Sequence, residues 1–131
     1  MPTTEEIAKQ FATHVGFRFS AAYLFGAAPF RPDDEVYRIV RITAAAADRL
    51  DIVIIVDGSN GPEITLSVWN PGKLKSGADD LRITSASKVS FGPAYETVLS
   101  GDKFRVDRDG KRGDEFPKKD LPALRLVIAP S

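Results

Sequence analysis

At 131 residues the chain has room for one hydrophobic core, and residues 1–131 read as a single domain. Hydrophobic residues make up 43% and charged residues 27%, a globular balance that excludes wholesale disorder. Cysteine is absent, His14 is the lone histidine and formal net charge is zero. That removes disulfide, thiolate, zinc-ribbon and iron–sulfur chemistry, and any strong whole-protein attraction to nucleic acid or anionic lipid.

The first element is a helix. Thr3 followed by Glu6 matches a capping box, and Ile7, Phe11 and Val15 recur at four-residue spacing before Gly16. This predicts an amphipathic helix of about three turns. His14 falls near its apolar side. It is a candidate general base, with a core-edge histidine bonded to backbone as the plainer reading.

Residues 17–30 hold five of the twelve aromatic residues and a single charge. They read as a short strand plus a helical turn belonging to the core, or as an apolar surface for a partner. In the second reading Phe17, Phe19, Tyr23 and Phe25 are the contact residues, joined by Trp69 at the end of a later strand.

Asp33, Asp34 and Glu35 form the densest carboxylate cluster, and Asp33 and Glu35 are the acidic catalytic candidates. A solvated acidic edge explains them equally. Residues 33–50 are ambiguous. Val36, Ile39, Val40, Ala47 and Leu50 share a helical face, while VYRIVRIT is rich in strand formers without clean alternation. The working picture is a strand over 36–43 and then an alanine-rich helical turn.

From Asp51 onward strands alternate with turns. DIVIIVD and EITLSVW flank GSNGP, and the latter strand alternates cleanly; NPGKLKSGADD reads as a loop. Asp109-Gly110 is a hairpin signal, and LRLVIA closes the chain as a strand. The expected fold is α+β: an N-terminal helix on a mainly antiparallel sheet, closed as a sandwich or a partial barrel.

DIVIIVDGSNG resembles the first strand and metal loop of von Willebrand factor A domains, whose Asp-x-Ser-x-Ser follows a buried strand. The resemblance implies Asp57 and Ser59 as oxygen ligands of a hard cation such as magnesium. It covers eleven residues and departs at Gly61, where the family has serine, and at Pro62, where it has a helix. A hairpin turn with self-bonding Asp, Ser and Asn accounts for the same residues, and no metal is expected.

Residues 103–119 hold seven Lys/Arg with Phe104 and Phe116, a composition that can stack and pair with single-stranded nucleic acid. Four acidic residues in the same stretch oppose it, so it reads as a soluble hairpin tip and no nucleic-acid partner is expected. No phosphate loop, dinucleotide fingerprint or nucleophile elbow occurs, and no cofactor is expected. The longest aliphatic run, Ile52–Val56, is far below the ~20 residues a membrane helix needs, and MPTTEEIAKQ lacks a signal-peptide pattern. The expected setting is cytoplasmic, with no membrane partner. The expected function is a non-catalytic binding or assembly module with a protein partner or a second copy of itself. The rivals are a small enzyme with a carboxylate/His14 pocket and a metal-dependent adhesion module.

Overall fold

The computed structural model describes residues 3–30, 35–58, 60–119 and 121–129. Helix α1 spans Thr4–Ala12, followed by β1 (Arg18–Leu24), β2 (Ala27–Phe30), β3 (Tyr37–Ala46), β4 (Arg49–Val56) and β5 (Ile64–Trp69). The later strands are β6 (Leu74–Ser76), β7 (Asp80–Ile83), β8 (Lys88–Phe91), β9 (Tyr95–Ser100), β10 (Lys103–Arg108), β11 (Glu115–Pro117) and β12 (Leu124–Ile128). They form one antiparallel sheet in the order β11-β10-β9-β8-β5-β4-β3-β1-β12-β7-β6, with β2 on β1. This is a sheet-dominated α+β fold. No helix among the described residues is long and apolar enough to cross a membrane.

The capping box forms at Thr3, whose hydroxyl accepts the Glu6 N–H at 3.2 Å. The helix stops at Ala12, shorter than its periodicity predicts, and Gly16 takes φ +94°. Val15 therefore lies beyond the helix and is 50% exposed, while Ile7 and Phe11 are fully buried. Thr4 Oγ1 donates to the Ala47 carbonyl at 2.7 Å, pinning the helix start to the β3–β4 turn.

Two predicted helical turns are strands. Residues 18–30 form the β1–β2 hairpin, and the alanine-rich segment continues β3 to Ala46. The ambiguity of β3 has a local cause. Its register against β4 shifts between Ile39 and Arg41, so the inward set passes from Tyr37 and Ile39 to Ile42. One extra residue converts two-residue strand spacing into a three-residue step that imitates a helix. A similar shift between Phe19 and Ala21 moves the core set of β1 from Phe19 to Ala22 and Leu24.

β4 and β5 pair from Arg49↔Trp69 to Ile54↔Ile64, so the residues between them connect two neighbouring antiparallel strands. Part of the loop predicted at residues 70–80 is also strand. A single register runs from Leu66↔Phe91 and Trp69↔Lys88 through Leu74↔Ile83 to Ser76↔Leu81. Across the gap, Gly72 N–H donates to Ser85 O at 2.7 Å and Thr84 N–H to Lys73 O at 3.0 Å. β5–β6 and β7–β8 are thus two arms of one bent ribbon. Its base pairs with β4 and its tip with β12, so the path of neighbouring strands leaves the ribbon and returns to it.

The sheet is therefore strongly curved. β1 and β10 are six places apart in sheet order, roughly 29 Å if flat. Yet Phe25, just after β1, stacks on Phe104 of β10 with centroids 5.8 Å apart. One core fills the interior, from Ile7 and Phe11 through Leu50, Ile52 and Ile54 to Leu124 and Leu126.

Candidate functional site

The β1–β2 hairpin turns on Phe25 and Gly26, at φ +52° and +88°. Left-handed backbone is natural for glycine and unfavourable for phenylalanine. What holds Phe25 there is its ring, buried against Phe104, together with its N–H bond to Ala123 O at 3.1 Å. Phe104 in turn lies 5.6 Å from Phe116 of β11. The three rings form a ladder from the core to the surface, ending at Phe116, which is 45% exposed.

Against this ladder lies a cavity of about 290 Å³, walled by Phe25, Gly26, Ala27, Phe104, Phe116, Pro117, Lys119 and Leu121. Leu121 is 41% exposed and lines the cavity together with Phe116. A hollow of about 480 Å³ adjoins it, where Arg108, Asp109, Lys111, Arg112 and Asp114 ring a mainly apolar floor that includes Ala27, Val106 and Phe116. A third hollow, about 450 Å³, runs past Leu121 to Lys118, Thr84 and Ser85. Together they form an apolar slot with charged surroundings of both signs, Asp109 and Asp114 among Arg108, Lys111, Arg112, Lys118 and Lys119.

Asp107 fixes the outer wall. Its carboxylate accepts from Arg105 Nε at 2.8 Å and from the Gly113 N–H at 3.0 Å, closing the tip that carries Asp109-Gly110. The Arg105 guanidinium, with the Gly113 N–H behind it, holds the Asp107 carboxyl below the usual carboxylate range. A carboxylate whose pKa falls on folding adds stability above its unfolded value and loses it as pH drops through the folded one. The tip should hence loosen below about pH 4. The check is the Gly113 amide resonance, expected to move with acid titration in the wild type and to stay still in Asp107→Asn. A wild-type resonance that ignores pH would remove Asp107 from this role.

The free edge of β11 does not invite another strand. Lys118 N–H donates to Asp102 O and Val106 N–H to Asp114 O, so Phe116 takes the bonded place opposite Phe104. Glu115 and Pro117 therefore face outward, and proline has no N–H to give.

No protein-family model, curated protein or solved structure matches this chain.

The residues singled out in the sequence do not converge. His14 is half-buried in the turn after α1, edge-on to Phe11 and Phe17 at 6.2 and 6.4 Å. Glu35 is exposed, and Asp33 and Ser59 lie outside the described residues. Asp57 meets Arg18 at 2.8 Å through one carboxylate oxygen and Arg38 at 3.4 Å through the other. Two guanidinium groups already balance that carboxylate and compete with any cation. No three His, Asp or Glu side chains gather as metal ligands among the described residues.

Phe19 is fully buried, stacked on Tyr37 at 5.8 Å, and has no surface to offer in the folded chain. Phe17 is half-buried against the core. Tyr23 lies under Arg125 at 5.6 Å, and Trp69 is covered by Lys88 at 4.2 Å. Of the proposed contact residues only Phe25 borders the slot, from inside. The slot also takes Phe104 and Phe116, which the sequence offers only as part of a basic–aromatic stretch, and Leu121, which it does not single out. Their signal was the interleaving of Phe104 and Phe116 with cations, which composition alone assigned to a hairpin tip.

Proposed function

We propose that this chain is a small non-catalytic binding module that holds a protein partner at the slot between Phe25, Phe104, Phe116 and Leu121. One observation carries the reading: two large exposed apolar side chains, Phe116 and Leu121, line one apolar cavity. An exposed aromatic beside a concave apolar site is the arrangement of an interface anchor. The cavity has the size of one large side chain or a few smaller groups, and the proline-bearing edge of β11 favours side-chain docking over strand addition. A second copy of the chain is one partner that fits this reading, and a cytoplasmic setting is part of the proposal. The ribbon that leaves and rejoins the sheet further supports a partly closed barrel, with α1 over one end.

Selection of displayed random peptides on the folded chain tests this. Wild-type protein should enrich sequences with a large apolar anchor. Phe116→Ser with Leu121→Ser should lose at least about tenfold in affinity for them, as expected for interface anchors, with little change in melting. No enrichment over the double variant, together with a strictly monomeric mass in solution, would sink the proposal.

A further inference from the structure

The apolar cavity and the hollow beyond it share three walls, Phe25, Lys119 and Leu121. On the far side of Leu121 the chemistry changes. That hollow is lined by Lys118, Lys119 and the hydroxyl residues Thr84 and Ser85. An adjoining depression adds Lys75, again with Thr84 and Leu121 in its wall. No carboxylate lines either space among the described residues. Ammonium groups and hydroxyls are hydrogen-bond donors, and walls to which the described residues bring three lysines and two hydroxyls suit an oxyanion.

We infer that the partner segment docked in the slot carries an oxyanion next to its apolar anchor, seated beyond Leu121 among Lys75, Lys118 and Lys119. This rests on the docking reading above and names the partner's chemistry: a large apolar side chain with an acidic residue, or a phosphorylated one, within a few positions of it. Leu121 separates the two subsites, so the spacing between anchor and charge is part of what is recognised. The same cations beside exposed Phe116 would also suit an anionic lipid surface. The concavity argues against that, because a flat bilayer does not fill a cavity behind the exposed side chains. Asp109 and Asp114 in the neighbouring hollow would moreover face the headgroups.

The experiment uses the full chain and the peptides that win the display selection. Expected are winners enriched in Asp or Glu beside the anchor, and about tenfold weaker binding when that acid is changed to Gln. Phosphoserine in its place should bind at least as well, and a lysine there should bind worst. The acidic preference should shrink as salt rises from about 50 to 500 mM, since exposed charges are screened over that range. Lys118→Glu with Lys119→Glu should turn the preference toward lysine while leaving the melting temperature in place. Winners without acidic bias, whose Gln versions bind equally, would overturn the oxyanion subsite and leave apolar docking standing. A failure to obtain winners at all would remove both readings. Sedimentation with anionic vesicles that occurs while no acidic peptide binds would assign the face to membrane and overturn the inference.

Discussion

Truncating Phe11 to alanine should lower the thermal midpoint by roughly 10–20 °C. Burial of a whole phenylalanine ring is worth about 3–5 kcal/mol on this scale, and a domain of this size loses a few degrees per kcal/mol. Helix α1 has nine residues, too few to persist alone in water. It exists because Ile7 and Phe11 are fully buried against the sheet, with Thr4 bonded to Ala47 at its start. Removing the ring leaves a cavity and withdraws much of what holds the helix in place. Val15→Ala is the matched control. The sequence puts Val15 on the same apolar face, but the helix ends three residues earlier and the side chain is half exposed. Its truncation should stay within about 0.5 kcal/mol. Equal effects from the two substitutions, read by denaturant unfolding, would mean that the helix continues to Val15.

That pair also shows where the sequence is legible. Capping and spacing located the start of α1 and its buried residues, because both are local. Its end was not legible, since Val15 keeps the periodicity while the backbone has already turned toward Gly16. In β3 the pattern was misleading for a different reason. The register shift after Ile39 inserts one residue, and side-chain spacing then no longer distinguishes strand from helix. The antiparallel neighbours β4 and β5 were readable from alternation and the glycine-rich connection. Their long-range consequence was not. Nothing local to residues 70–76 says that the ribbon bends and that its tip pairs with β12, because that pairing joins segments far apart in the chain. The slot depends on contacts that are equally non-local. Phe25, Phe104, Phe116 and Leu121 come from three separate stretches, and only the curl of the sheet brings their side chains together.

Gly113→Ala should disable that slot without unfolding the chain. A Cβ at this position would run into the Val106 carbonyl oxygen, a backbone atom that cannot turn aside. Relief requires β11 to move away from β10, at a cost of about 1–3 kcal/mol for overpacking. β11 is the last strand in the sheet order, and its separation leaves the rest of the sheet paired. The strain should therefore appear as local opening. Two amides report it: Val106 N–H, bonded to Asp114 O at 3.4 Å, and Lys118 N–H, bonded to Asp102 O at 2.7 Å. Both should lose protection in hydrogen exchange by roughly tenfold or more, as local opening of that size implies. Amides in β4 and β12 should keep theirs. Phe116 would then leave its place beside Phe104, and the outer wall of the cavity would go with it. Peptide binding should accordingly fall at least as far as in Phe116→Ser with Leu121→Ser, although Gly113 contributes no side chain to the contact. Binding that survives while both amides are deprotected would show that β11 is dispensable, and the docking face would have to be sought elsewhere on the sheet.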